Sequence, residues 1–481
     1  MLGPSQITSA VRTDASSARA VLLVTVGAAF LSSLDLFVVN VAFDQIGRDL
    51  RVGLATGPSP GDLSWVLNAY AVVVAALMVP FGRLADRYGC RRLFLLGVAV
   101  FTAASAACAV SGDVWALVAF RALQAVGAAA MTPTSLGILL SALPAERRLV
   151  GVRVWAAVGA VAAAIGPTVG GLLTELSWRW VFLMNVPVGL LILLVAARVV
   201  RDEPVDDDAP VPDLLGAALI AGAAGLLALG LVKSHEWGWT GGRTWVALGL
   251  AVVAAALFAW RSSRHASPVI DPALLRVRTF RWAVLAMFLF NVSFAANLLV
   301  GVLWMQQVWS YGVVRTGFAV AVGPLLVPVT AALSQRLLPT ASPSRLIIAG
   351  SLLCALGCTV VATRMGESPA YLTAYLPAWV IGGIGVGLAL PNLMAGSTHD
   401  LPASLAATGS GVVMMARQIG FVVGISILFA LVGDHVGPAA VDGFRETWLV
   451  AALVLVAASG AAVGMRARPA PPAVPEPVTI T

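Results

Sequence analysis

The chain has 481 residues, of which 59% are hydrophobic and only 11% are charged, and its mean hydropathy is +0.92. These values exclude a water-soluble domain and indicate a protein that crosses a membrane many times. The net charge of +7 does not indicate nucleic-acid binding, because the basic residues are sorted by topology. With the N-terminus in the cytoplasm, about 20 of the 30 basic residues fall on the cytoplasmic side and about eight on the other side.

Fourteen apolar stretches are long enough to cross a bilayer, which takes roughly 20 residues of helix. They lie near 20–43, 63–82, 93–111, 114–141, 150–173, 180–200, 213–232, 244–260, 282–308, 317–335, 346–363, 371–396, 404–432 and 446–465. We number them as spans 1 to 14. The sequence therefore predicts an all-α membrane protein with both termini in the cytoplasm.

The chain contains an internal repeat. Glycine and proline recur at the same intervals in Gly127 with Pro133 and Gly385 with Pro391, and in Gly166 with Gly170 and Gly420 with Gly424. The repeat predicts a six-helix half (1–200), then a linker, two inserted helices and a basic connector (201–281), then a second six-helix half (282–466). A disordered tail is expected at 467–481, and a short amphipathic helix near 272–278. Parallel repeats of this kind are typical of transporters, with the substrate path between the halves.

Two charged residues lie deep in the first half. Asp35 in span 1 is about 12 Å from the nearer membrane face, and an ionisable residue at such depth is by default a functional hypothesis. Burial disfavours the charged carboxylate, so this group could load and release a proton. Arg121 in span 4 lies at a similar depth, which predicts an ion pair with Asp35 that is either broken during transport or permanently structural.

Several motifs resemble those of the 14-helix drug:proton antiporter family of the major facilitator superfamily. They are LDLFVVNVAF (34–43), GRLADRYGCRR (82–92), RALQAVG (121–127), GPTVGG (166–171) and WRWVFLMNVPVG (178–189). Together with the 6+2+6 layout they cover most of the chain. Four positions depart from the family pattern: Phe37 stands where the family usually has a hydroxyl residue, Asp44 where it has proline, and Ala125 and Ala162 where it has glycine.

The resemblance implies three sets of functional residues. Asp35 and Arg121 would couple transport to protons. A conformational latch would be formed by Gly82, Arg83, Asp86, Arg87, Gly89 and Arg92, with Asp86 docked at the start of span 13 near Ser404. The antiporter motif would be Gly166, Pro167, Gly170 and Gly171.

Polar, aromatic and methionine side chains in otherwise apolar spans are candidates for a substrate cavity. They are Phe37, Asn40, Trp65, Asn68, Tyr70, Gln124, Asn291, Asn297, Trp304, Gln306, Gln307, Met414, Met415 and Arg417. Aromatic and methionine surfaces suit amphipathic compounds of varied shape. Span 13 carries no acid, so a second carboxylate for dicationic compounds is missing there.

The function predicted from these residues is proton-coupled export of an amphipathic drug or antibiotic across a bacterial cytoplasmic membrane, by a monomer. A symporter or uniporter of the same fold is the alternative, followed by a membrane-embedded lipid-handling protein. The four cysteines and four histidines show no metal-site spacing, and no phosphate loop or catalytic constellation is present. We therefore expect no cofactor, no metal and no enzymatic activity.

Overall fold

The computed structural model describes residues 4–50, 59–201, 211–338, 340–401, 403–433 and 435–465. Most of the predicted acidic linker and the whole of the predicted tail lie outside these residues. The described residues form no strand and contain fourteen helices of membrane-spanning length, as the sequence predicted. These are α1 (Pro4–Asp49), α2 (Pro60–Tyr88), α3 (Cys90–Ala109), α4 (Val114–Ala142), α5 (Ala145–Leu176), α6 (Arg179–Val199), α7 (Leu214–Val232), α8 (Gly242–Ser262), α9 (Arg278–Val308), α10 (Val313–Leu337), α11 (Pro343–Arg364), α12 (Tyr371–Ser397), α13 (Ala403–Val432) and α14 (Val441–Gly464).

Some helices are interrupted or carry short additions. A turn at Met184 divides α6, the last residues of α9 (Trp304–Val308) form a π-helical turn, and another π-helical turn (Tyr371–Tyr375) opens α12. The predicted short helix of the connector is found at Pro272–Arg276. The remaining short helices are Ser234–Trp237 and Gly437–Ala440.

Local sequence signals explain where α2 begins and ends. Ser59 accepts a hydrogen bond from the Asp62 amide while the Asp62 side chain accepts one from the Ser59 amide, which is a capping box. At the other end Gly89 has φ = +89°, a conformation that glycine adopts without a Cβ penalty. Because α3 starts at the next residue, the predicted charged loop is a single tight turn.

The internal repeat is visible in the helix packing. A Cβ atom on Gly127 of α4 would lie 2.7 Å from the Gly97 carbonyl oxygen on α3. In the second half, a Cβ atom on Gly385 of α12 would lie 2.5 Å from the Gly350 carbonyl oxygen on α11. The absence of side chains lets the backbones of both helix pairs touch. The other repeated pair of glycines also lies at close helix contacts. Gly170 of α5 packs against the backbone of α1, and Gly420 of α13 packs against the backbone of α9.

The inserted pair α7 and α8 lies against one side of the bundle. Small residues of α7, Ala224 and Ala228, pack on α2 and α13. Lys233 at the end of α7 is 3.0 Å from Asp62 of α2. At the other end Asp213 caps α7 and lies 2.7 Å from Arg261 of α8. Burial opposes ionisation of Asp213, but the Gly216 amide and the Arg261 guanidinium lower the pKa of this carboxyl below its usual value.

We call the side of the bundle on which α1 begins the near side, and the side on which it ends at Asp49 the far side. The halves are joined on the far side. The Gln306 amide donates to the Val41 carbonyl at 3.0 Å, and the Gln307 amide donates to Asp44 at 3.2 Å. We call these contacts between α1 and α9 the far-side seam.

The near side is open between the halves. Along one face of α13 the residues toward the near side are partly exposed, and those toward the far side are buried. The partly exposed residues are Ser410, Met414, Arg417 and Gln418, and the buried ones are Phe421, Ile425 and Leu428. On α1, Phe30 and Ser33 are partly exposed, whereas Phe37 is buried with its ring 6.3 Å from that of Phe294 on α9. These faces of α1 and α13 border a near-side vestibule that ends at Phe37 and Phe294.

Candidate functional site

The predicted pair of Asp35 and Arg121 exists, at the centre of a buried polar cluster in the first half. The Arg121 Nη1 donates to Asp35 Oδ2 at 2.6 Å. The other carboxylate oxygen accepts from the Asn185 amide at 2.8 Å and from the Gln124 amide at 2.9 Å. Gln124 also donates to Ser105 at 2.7 Å. We call these five residues the Asp35 cluster. It draws on α1, α3, α4 and α6.

The cluster is sealed from solvent. The side chains of Asp35 and Arg121 have no exposed area, and Asp35 lies near the middle of the membrane-spanning part of α1, Arg19–Asp49. It is therefore deeper than the sequence predicted, because α1 continues beyond the predicted end of span 1. Three donors from α4 and α6 converge on this one buried carboxylate of α1, so the Asp35 cluster holds three helices of the first half together.

Arg121 also ties the cluster to α2. Its Nε donates to the Val66 carbonyl at 3.2 Å, and its guanidinium lies 4.1 Å from the ring centre of Tyr70. A guanidinium over an aromatic face is a favourable cation–π arrangement. One nitrogen of Arg121 and the Asn185 carbonyl oxygen are buried without a partner among the described residues. The cluster thus holds unsatisfied hydrogen-bonding capacity beside the carboxylate.

Sequence reasoning missed two members of the cluster, Asn185 and Ser105. Gln124 and Tyr70 were predicted for the substrate cavity and instead contact Arg121. A polar residue within the apolar start of span 6 was the signal that could have identified Asn185.

The antiporter-motif residues lie where α5 meets two other helices. A Cβ atom on Gly166 would lie 2.8 Å from Phe37 Cβ of α1. A Cβ atom on Gly171 would lie 2.6 Å from the Val313 carbonyl oxygen of α10, and the Pro167 carbonyl approaches Gly317 of the same helix. The motif therefore packs within the first half and also forms a contact between the halves on the far side.

The predicted latch residues lie together at the near-side turn between α2 and α3. Asp86 is exposed there, and the Arg83 guanidinium donates to Ser267 of the connector. Gly82 faces Pro133 of α4. The structure describes no side chain at Ser404, so docking of Asp86 at the start of α13 stays a prediction.

Only some of the cavity candidates border the vestibule. Met414 and Arg417 do, with Phe37 at its closed end and Asn40 one turn beyond. The others lie elsewhere. Trp65 packs against the cluster that includes Ala224 and Ala228 of α7, Asn68 donates to Ser426, and Asn291 donates to the Met287 carbonyl. Asn297 and Trp304 contact Trp448, Met415 lies within the core, and Gln306 and Gln307 form the far-side seam.

A second polar region lies at the far ends of the helices. A cavity of about 280 Å³ is lined by Asp44, Gln45, Arg48, Thr174, Glu175, Gln306, Tyr311, Gly312 and Val313. Asp44 pairs with Arg48 at 2.6 Å. Asp44 therefore belongs both to this cavity and to the far-side seam.

The sequence family model described as Major Facilitator Superfamily matches residues 25–425. The chain belongs to the major facilitator superfamily. Among similar proteins, the tetracenomycin C resistance and export protein of Streptomyces glaucescens is 32% identical, over 90% of this chain and 78% of its own length. The cephamycin export protein of Amycolatopsis lactamdurans is 34% identical, over 87% and 86%. The puromycin resistance protein of Streptomyces alboniger is 33% identical, over 89% and 87%.

Solved structures of transporters share the fold of this chain. A bacterial homologue of the lysosomal transporter Spinster has a TM-score of 0.65 at 17% identity, covering 93% of this chain and 97% of its own. An auto-inhibited peptide transporter of the POT family has a TM-score of 0.65 at 15% identity, covering 95% and 98%. The protein is thus a multi-pass bacterial membrane protein of a transporter superfamily.

Proposed function

We propose that this major facilitator exports amphipathic drugs or antibiotics in exchange for protons, as a monomer in the bacterial cytoplasmic membrane. The observation that carries the proposal is the sealed Asp35 cluster in a chain whose relatives are named for antibiotic export and resistance. A buried acid paired with arginine gives the bundle a site that a single proton can change.

The coupling route that we propose runs through α2. Protonation of Asp35 removes the charge that holds Arg121, and Arg121 contacts α2 at Val66 and Tyr70. Only two residues from Val66, Asn68 donates to Ser426 of α13 at 3.4 Å. A change at Asp35 would therefore shift the contact between α2 and α13, favouring a state open on the far side.

A symporter or uniporter of the same fold would share most of this geometry. A growth-inhibition panel in an efflux-deficient bacterial host, with and without the gene, separates export from import. An exporter raises the inhibitory concentration of its substrates, and collapse of the proton gradient removes this protection. A uniporter gives no protection that depends on the gradient.

The near side is proposed to be cytoplasmic, because most basic residues outside the spans lie there. On a cysteine-free background, single cysteines at Tyr88 and His265 should react with a membrane-impermeant maleimide only after the cells are opened. Cysteines at Gly242 and at Gly57, which lies outside the described residues, should react in intact cells. The opposite pattern at either pair would reverse the proposed orientation.

The turn between α2 and α3 is proposed to act as a near-side latch. Asp86→Asn should leave membrane insertion intact and slow transport severalfold, because the change weakens one conformational state and not the substrate site. Initial transport rates, normalised to protein in the membrane, measure the effect. A wild-type rate in this variant would remove Asp86 from the latch.

A further inference from the structure

Three charged side chains stand well inside the described spans, and only two of them neutralise each other. Asp35 and Arg121 form a 2.6 Å ion pair. The third is Arg417, near the middle of the 30-residue helix α13. Arg417 makes no hydrogen bond, ion pair or ring contact with any residue that the structure describes. A cation at membrane depth is normally paired or faces a functional cavity, so the missing partner of Arg417 calls for an explanation.

The position of Arg417 on α13 explains how it can lack a protein partner within the described part of the chain. It is partly exposed on the α13 face that borders the near-side vestibule, beside Met414 and Gln418. The rest of α13 is taken up by neighbouring helices: Gly420 and Gly424 touch the backbone of α9, and a Cβ atom on Gly411 would lie 3.1 Å from Val79 of α2. Arg417 therefore has access to solvent through the vestibule and not through lipid.

Nothing acidic in the described spans faces this guanidinium. Asp35 is sealed inside the first half, and every other Asp or Glu whose side chain is described lies within two turns of a helix end or in a loop. Among the described residues, Arg417 is thus the charged group that borders the vestibule at mid-membrane depth, and it makes that part of the vestibule electropositive. An unpaired guanidinium at this position repels a cationic compound and attracts an anionic one.

We propose that Arg417 binds an acidic group of the exported compound, so that the preferred substrates are amphipathic anions such as aromatic carboxylates or phenolates. The planar guanidinium fits a carboxylate with two parallel hydrogen bonds. The apolar part of the same molecule would lie on Phe30, Phe294 and Met414, which border the vestibule. This inference names the substrate class of the proposed exporter and rests on that proposal.

The test uses a matched pair of fluorescent probes, 2-anthroate and its neutral methyl ester, with ethidium as the cation. Binding to the purified full-length protein in nanodiscs is followed by fluorescence anisotropy. The wild-type protein should prefer 2-anthroate to both other probes. Arg417→Gln should weaken 2-anthroate binding about tenfold or more, the size expected for loss of a charge-assisted contact, and should leave the ester within about twofold. Arg417→Lys should recover part of the preference.

Arg243→Gln is the matched control, because it removes the same charge at an exposed position of the inserted pair. Equal loss of acid and ester binding in Arg417→Gln would show a merely structural arginine and overturn the proposal. A wild-type protein that does not bind 2-anthroate, or that binds ethidium more tightly, would overturn it as well. If reconstituted wild-type protein still exchanges ethidium or the ester for protons, the exporter assignment stands and only the anion preference falls.

Discussion

Replacing Asp35 by asparagine should abolish proton-driven efflux while the protein still reaches the membrane. Asparagine keeps the size of the side chain and can still accept from Arg121, but it cannot titrate. The buried guanidinium then lacks a countercharge, and breaking such a pair costs about 3–5 kcal/mol. The measurement is gradient-driven substrate accumulation in everted membrane vesicles, compared with substrate exchange in the absence of a gradient. Accumulation should fall to background, and exchange should persist.

Asp113→Asn is the matched control for this prediction. Asp113 caps α4 by accepting from the amides of Trp115 and Ala116, and asparagine caps a helix about equally well. Asp35→Glu should retain part of the activity, since it keeps the titratable group but adds a methylene to a packed cluster at about 1–3 kcal/mol. Normal accumulation by well-folded Asp35→Asn would move coupling elsewhere. The far-side acids Glu175 and Asp434 would then be the candidates, the second of which lies outside the described residues.

Replacing Gly171 by valine should trap the transporter with its far side open and stop transport. A Cβ atom at this position would lie 2.6 Å from the Val313 carbonyl oxygen of the other half. The clash is with backbone, so a rotamer change cannot relieve it, and overpacking of this kind costs about 1–3 kcal/mol. Because the clash exists only when the halves meet, the closed far side should become roughly 5- to 150-fold less favourable.

Labelling measures that shift. A single cysteine at Ser426, buried where α13 meets α2, should react faster with an impermeant maleimide in the Gly171→Val protein than in wild type. Gly249→Val is the control, because a Cβ atom there has no neighbour within 4 Å. If Gly171→Val transports as well as Gly249→Val and labels no faster, the α5–α10 contact does not control closure of the far side.

The fold could be predicted from sequence because lipid imposes two simple rules. Backbone groups must be satisfied within each helix, so the length of an apolar stretch gives the number of spans. Helices in lipid approach closely through small residues, and the repeated glycines at 127 and 385, which revealed the internal repeat, lie at such close contacts. The helix ends were less predictable. The first span extends to Asp49, since polar Asp44, which hydropathy assigns to a loop, accepts there from Gln307 and pairs with Arg48.

The site was only half predictable. Equal depth on two helices of one half was enough to pair Asp35 with Arg121. Depth says nothing about which face of a helix a residue occupies, and most of the cavity candidates lie away from the vestibule in this structure. Polar groups in lipid find partners inside the protein, either within one half, as Asn297 does with Trp448, or across the halves, as Asn68 does with Ser426. The positions that remain available to a substrate are those that found no such partner, and identifying them requires the structure.

The central claim, that a compound and protons move in opposite directions, is tested most directly with wild-type protein in liposomes that enclose a pH-sensitive dye. The exported compound is first identified by the growth-inhibition panel and then added on one side without an imposed pH gradient. Antiport predicts that protons move toward the side to which the compound was added, at a rate that depends on the compound. No such movement should occur with Asp35→Asn protein. Proton movement in the same direction as the compound, or compound movement without any proton movement, would contradict the account.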